Sequence, residues 1–161
     1  MTIERLAARR RYAALVELLR TANTLWDASR AFFGRWNLSP SQFNLLNLLE
    51  GCSPGVTQTE LSRQLIVHRS GVTGLVDRLE RRGLVARRNM EGDRRAYRVV
   101  LTHAGARLMG AVLPLYSAAA ERACQGLSEK RAADMVTDLR RIAQNAQRIG
   151  AEQRRAPRPS A

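Results

Sequence analysis

Lysine is all but missing from this chain. Lys130 is the single one among 27 Lys and Arg residues, set against 14 Asp and Glu, and the formal net charge is +13. A pI near 11.5 therefore rests on arginine. It points to a polyanionic partner, either nucleic acid or an anionic membrane surface. Part of the arginine content is compositional bias, so clustering says more than number. Cysteine is scarce too. Cys52 and Cys124 match neither a metal-ligand spacing nor a disulfide framework, and each stands alone, which argues against a redox switch. His68 and His103 are isolated. There is no nucleophile–base pair, no Gly-rich phosphate loop and no pair of acids at catalytic spacing, so neither an enzyme, a metal nor a cofactor is expected. No apolar run approaches the roughly 20 residues that a bilayer span needs. The opening Met1-Thr2-Ile3-Glu4-Arg5 lacks the apolar core of a signal peptide, so the expected location is the cytoplasm, with no membrane partner.

What is present centres on residues 57–102. Thr57 and Glu60 have the spacing of a reciprocal capping box, and Leu61 and Leu65 share the face of the helix it starts. Ile66 and Val67 lead out of it. A second helix is expected from about Arg69 to Arg82, where Val72, Leu75, Val76 and Leu79 fall at i, i+3, i+4 and i+7, the pattern of a buried stripe. Gly83 is placed to end it in a left-handed conformation. Two strand-like runs follow, Leu84–Arg88 and Ala96–Leu101, joined by an Asn89–Asp93 turn. Helix, turn, helix and β-ribbon in that order make a winged helix–turn–helix, a shape that enters DNA grooves. Residues 61–98 carry ten arginines against four acids, which is an electrostatic footprint for phosphate.

The stretch resembles the DNA-binding domain of the MarR family of bacterial transcriptional regulators. The matching residues are Thr59-Glu60-Leu61-Ser62, Val72-Thr73-Gly74-Leu75-Val76-Asp77-Arg78-Leu79-Glu80, Arg82-Gly83-Leu84-Val85 and Asp93-Arg94-Arg95, with Val99, Leu101 and Thr102. The likeness extends more loosely to the flanking helices.

Those flanks read as long amphipathic helices. In residues 1–36, Leu15, Leu19, Ala22, Trp26, Ser29 and Phe33 step by four and three, a heptad-like stripe suited to helix packing. Arg9, Arg10 and Arg11 read as a solvated face. Ser39, Pro40 and Gln42 open the next helix as N-cap, first position and capping partner, flanked by Leu38 and Phe43. That helix is apolar over much of its circumference and should be buried. Gly51 ends it, and Val56 could add a short strand beside the wing. Thr102 caps a further helix, which Pro114 should kink and Gly126 ends. Ser128 caps a last one, striped by Met135, Leu139, Ile142, Ala146 and Ile149. From Gly150 the composition suggests a disordered basic tail. The expected fold class is mainly α with a small β-wing, a winged helix–turn–helix embedded in a helical dimerisation region. The expected divisions are 1–36 (dimerisation), 37–102 (DNA binding), 103–149 (dimerisation) and 150–161 (tail).

A recognition helix offers its N-terminal residues to base edges. Here these are Arg69, Ser70, Gly71, Thr73 and Gly74, with Arg78 further along; Ser70 is equally suited to capping the helix. Gly74 stands where many family members carry a long basic side chain. In the wing, Arg95 is expected in the minor groove, oriented by Asp93. Arg87, Arg88, Arg94 and Arg98 are expected on phosphates. The resemblance also implies a small aromatic or anionic effector. Trp26, Arg30 and Phe33 share a helix face and are its candidate contacts, with plain core packing as the other reading of the aromatics. The expected function is a dimeric, ligand-responsive regulator of transcription, with double-stranded DNA and a second copy of the chain as partners. A winged module that binds proteins instead is the alternative, and the wing arginines favour DNA.

Overall fold

The computed structural model describes residues 3–65, 71–90 and 93–155, with side chains described for 10–65, 71–89 and 97–155. In chain order the elements are α1 (Ile3–Gly34), α2 (Pro40–Leu49), β1 (Val56–Thr57), α3 (Gln58–Gln64), α4 (Val72–Arg81), β2 (Val85–Met90), β3 (Asp93–Leu101), α5 (His103–Ala123) and α6 (Glu129–Arg155). The three strands form one antiparallel sheet in the order β1-β3-β2. Val56, expected as an extra strand, pairs with Val99. The stretch 66–70, which holds the exit Ile66-Val67 and the candidates Arg69 and Ser70, lies outside the described residues.

Local chemistry accounts for the element ends. Ser39 closes its capping box with Gln42, with Pro40 inside the first turn. Thr57 and Glu60 do the same for α3. The Glu60 carboxylate accepts the Thr57 N–H at 2.8 Å, and that bond holds its pKa below the usual carboxylate value. Gly83 has φ +67 and closes α4 in the left-handed form. Its N–H donates to Glu80 O at 2.8 Å, and the Leu84 N–H reaches back to Leu79 O at 3.0 Å, so both orphan carbonyls are satisfied. The end of α1 uses the same device with Asn37, at φ 54, a residue whose short polar side chain tolerates that region. Thr102 Oγ1 accepts from the Gly105 N–H at 3.0 Å and Ser128 Oγ from the Arg131 N–H at 3.3 Å, as expected for two caps.

Two expectations are corrected. Both wing strands are longer than their apolar runs, because Met90 still pairs with Asp93; backbone pairing extends past the residues that need burial. Pro114 lies inside α5, where it was expected. Residues Gly150–Arg155, assigned to the tail, continue α6, since only glycine interrupts a run of good helix formers there and a single glycine costs about 1 kcal/mol.

The chain divides into two compact units, Met1–Tyr116 and Ser117–Ala161. The core lies in the first. It joins Phe43, Leu45, Leu46 and Leu49 of α2, Leu61 and Leu65, the α4 stripe Val72, Leu75, Val76 and Leu79, and Val85 and Val99 of the wing. It also takes Phe33 from α1 and Met109 and Val112 from α5. The core is therefore wider than the expected 37–102 division. Phe33 stacks on Phe43 with centroids 4.2 Å apart, and Tyr116 lies 4.7 Å from Phe33. In the second unit, α6 buries none of its residues.

The start of α5 is seated on the root of the wing. The Thr102 N–H donates to Leu84 O at 3.1 Å, and a Cβ at Gly105 would stand 2.1 Å from that same carbonyl. Gly105→Ala is therefore expected to destabilise the protein by roughly 3 kcal/mol, the upper part of the overpacking range, because backbone rather than a movable side chain is in the way. Urea denaturation followed by circular dichroism measures it.

Candidate nucleic-acid interface

Burying Val72, Leu75, Val76 and Leu79 turns the opposite side of α4 outward. Gly74, Arg78 and Arg81 lie at i, i+4 and i+7 on that side, and both arginines are exposed. Gly74 leaves room that Arg78 uses. The Arg78 guanidinium folds back along the helix, so that a Cβ at Gly74 would meet its Nη1 at 3.5 Å. A helical side chain covers the turn before its own Cα, and the basic group missing at 74 is thus supplied from one turn later. Arg81 was not among the candidates, although the same spacing would have found it. Gly71 is the N-cap of α4 and makes no side-chain cap bond.

The flank of α4 that faces the wing carries Thr73, Asp77 and Glu80. Arg87 of β2 pairs there with both Asp77 and Glu80, while its own N–H donates to Glu80 Oε1 at 3.0 Å. The guanidinium also lies over the Tyr97 ring, 5.1 Å from its centroid. Its pKa is raised above the ordinary arginine value, first by the hydrogen bond to Asp77. Arg87 was expected on a phosphate; with its donors committed to two carboxylates it fastens the wing to α4 instead. The sequence could not give this, because which side of the ribbon Arg87 occupies follows from its register opposite buried Val99.

Alternation sends the next residue to the other side of the ribbon. Arg88 is exposed there and stands directly opposite Arg98. Arg98 is half-buried, and its Nη1 donates to Gly55 O at 2.7 Å. Together they line a groove of about 830 Å³ that also includes Glu50, Cys52 and Asn89. Like charges opposite one another destabilise a strand pair, and an anion between them would remove that cost. Asp93, Arg94 and Arg95 lie on β3, with side chains outside the described set.

Two residues outside the candidate set connect these elements. Gln58, at the start of α3, accepts a hydrogen bond from the Tyr97 hydroxyl and donates one from Nε2 to Thr73 Oγ1. Arg82 donates from Nη1 to Asn37 O at 2.6 Å and from Nη2 to Trp36 O at 3.2 Å, tying the end of α4 to the α1–α2 turn. Of the effector candidates, Trp26 and Arg30 line a separate groove of about 490 Å³ with Ser39, Pro40 and Gln42. Phe33 does not; it is 1% exposed and belongs to the core, as its stack on Phe43 requires. Cys52 and Cys124 are both free and exposed. No group of metal-ligating side chains occurs among the described residues. No helix there is long and apolar enough to cross a membrane.

Residues 36–96, the α2-to-wing stretch just described, match the MarR family. That stretch is similar to the MarR family. The chain is 31% identical over 83 residues to the HTH-type transcriptional regulator PecS of Dickeya dadantii, a match that covers 50% of each protein. A MarR-family transcriptional regulator from Rhodococcus sp. RHA1 superposes with a TM-score of 0.69 at 28% identity, over 78% of this chain and 89% of that one. CouR from Rhodococcus jostii RHA1, solved bound to p-coumaroyl-CoA, superposes with a TM-score of 0.71 at 28% identity, over 78% and 88%. The family is one of transcriptional regulators and not of enzymes. Among MarR-family features, the mainly helical chain with a small antiparallel wing is the fold expected from the sequence.

The two neighbouring arginines of β2 should behave differently on substitution. Arg87→Met strands two carboxylates and should cost about 1 kcal/mol, a modest figure because Asp77 and Glu80 are 48% and 36% exposed and water screens them. Amide exchange across 85–90 should quicken with it. Arg88→Met should leave urea stability unchanged or slightly higher. Equal losses for the two variants would mean that the Arg87 pairing carries no stability.

Proposed function

We propose that this protein is a sequence-specific, DNA-binding transcriptional regulator of the cytoplasm, acting as a homodimer on a pseudo-palindromic operator, as a repressor that a small effector releases. The observation that carries the DNA reading is the outward side of α4. A helix whose apolar stripe is fully seated presents Arg78 and Arg81 with no acidic partner on that line, and a basic ribbon is fastened beside it by Arg87. In this reading α4 enters the major groove, with Gly71, Thr73, Gly74 and Arg78 toward the bases and Arg69 and Ser70 before them. Arg95, oriented by Asp93, enters the adjacent minor groove. Arg88, Arg94 and Arg98 hold phosphates. A protein-docking winged module has no use for that concentration of guanidinium groups.

Exposed apolar stripes support the dimer. Leu15, Leu19 and Leu25 of α1 are exposed, and so are Met135, Val136, Leu139, Ile142 and Ile149 of α6. Side chains of this size at helical spacing mark surfaces meant for another helix. Residues 1–36 and 103–149 supply that surface in this proposal, and 37–102 the DNA contacts. Selection of bound sequences from random DNA should return an inverted repeat. Introducing Leu139→Glu together with Ile142→Glu should give a monomer by light scattering, with binding reduced to a weak half-site. A variant that remains dimeric places the interface elsewhere.

For the effector, the groove beside Trp26 is of small-molecule size. An aromatic ring would lie against the indole and a carboxylate against Arg30, which is exposed at its edge. That CouR was solved with an aromatic acyl-CoA adds support. Titration with p-coumaroyl-CoA and with free aromatic acids should quench tryptophan fluorescence, lose that quenching in Trp26→Phe, and release DNA at the same concentrations. Absence of any compound that does both would refute the effector part alone.

A further inference from the structure

The groove on the outer side of the ribbon has no part in fastening the wing to α4. One wall is the loop that leads from α2 into β1. The other is the side of β2 and β3 that carries Arg88, Arg98 and Val100. The two walls are held close. Gly55 has φ +106, and a Cβ there would stand 2.8 Å from Val99 O and 2.5 Å from Val100 Cγ1, so only glycine lets the loop lie this near to β3. The Gly55 carbonyl then accepts from Arg98 Nη1 at 2.7 Å. That bond fixes the head of a long side chain and uses one of its three nitrogens. Arg88 stands directly opposite across the ladder, so two guanidinium groups line one space. Toward the root of the wing the lining turns apolar. Leu49 is buried, Val100 and Leu101 are half-buried, and Ala106 of α5 joins them. From residue 98 to residue 101 a strand runs about 10 Å, which separates the charged end from the apolar one. Glu50 is the one acid on the lining, set against two arginines. The volume, about 830 Å³, falls in the range of small-molecule sites.

We propose that this groove is a binding site for a monocarboxylate with an apolar body, of the size of a medium-chain fatty acid, whose carboxylate lies between Arg88 and Arg98 and whose body lies along Val100 and Leu101. A carboxylate accepts from both guanidinium groups and removes the cost of setting like charges opposite one another. The body covers apolar surface that water otherwise wets. The site shares no residue with the groove beside Trp26. In the DNA reading the same two arginines hold phosphates, so a bound acid and the DNA backbone are alternative occupants of the pair.

Cys52 lines the groove and is exposed, while Cys124 is exposed elsewhere, so one thiol reports occupancy and the other serves as its control. The test follows alkylation of the full-length protein by N-ethylmaleimide, an uncharged reagent, with each cysteine resolved by mass spectrometry and no DNA present. Octanoate should slow labelling of Cys52 in a saturable way and leave Cys124 unchanged. Hexanoate, two methylenes shorter, should need a roughly ten-fold higher concentration. Octanol has the body without the charge and acetate the charge without the body; neither should protect at concentrations where octanoate does. Arg98→Met should weaken protection by octanoate about ten-fold. Arg88→Met leaves the Gly55 contact in place and should do the same, which serves as the readout should Arg98→Met fold poorly. Glu50→Gln should strengthen it. No protection by octanoate below its micelle concentration overturns the proposal. So does protection that acetate matches, which would mean a bare anion patch, or protection that Arg88→Met leaves intact. Because no DNA enters the measurement, failure to bind any operator would sink the DNA reading and leave this result standing.

Discussion

The interaction on which the working geometry depends is the bridge from Arg87 to Asp77 and Glu80. In the proposed seating, a helix and a ribbon that serve adjacent grooves are useful only at a fixed angle. Apolar packing alone gives α4 its depth, through Val76 and Leu79 at 0% exposure, but a smooth hydrophobic contact tolerates sliding. A planar guanidinium held at two carboxylates does not, because its donors have set directions. The Arg87 main-chain N–H on the Glu80 carboxylate adds a contact that does not depend on the Arg87 rotamer. The pair is modest as a source of stability and substantial as a source of registration.

The helices divide into two energetic kinds. Those of the winged module are short and depend on burial; α3 has seven residues and α4 ten, lengths that are marginal in isolation. Capping boxes and left-handed closures matter most for such elements, since a few tenths to one kcal/mol at each end is a large share of what a ten-residue helix has. The long helices α1 and α6 are set by their stripes, and much of that apolar surface is uncovered in a single chain. The chain buries the stripes of its winged module and leaves those of its long helices exposed.

Much of this was legible in advance where one residue type has one job. Ser39 with Pro40 and Gln42, Thr57 with Glu60, and Gly83 each fix an element end through local chemistry, and the α4 stripe follows from spacing alone. What could not be read depends on how elements meet. Arg87 and Arg88 are neighbours with the same side chain, and only the pairing of β2 with β3 sends one to α4 and the other to the opposite side. Phe33 shares a helix face with Trp26 and Arg30, yet the closing turn at Asn37 swings its end of α1 onto Phe43. Gln58 and Tyr97 lie 39 residues apart in a sequence where neither stands out. Arg81, by contrast, had the spacing of Gly74 and Arg78 and was readable.

Gly105 has a mechanical meaning beyond its steric one. With α5 pressed against the Leu84 carbonyl and Thr102 bonded to both Gly83 and Leu84, helix and wing root meet backbone to backbone. The joint is a welded one. The part of α5 that shares a compact unit with the wing, residues 103–116, runs roughly 20 Å and behaves as the handle of an oar whose blade is the ribbon. Torque applied along that handle, by whatever grips it, reaches the blade undamped, and any give in the mechanism has to be sought at other joints.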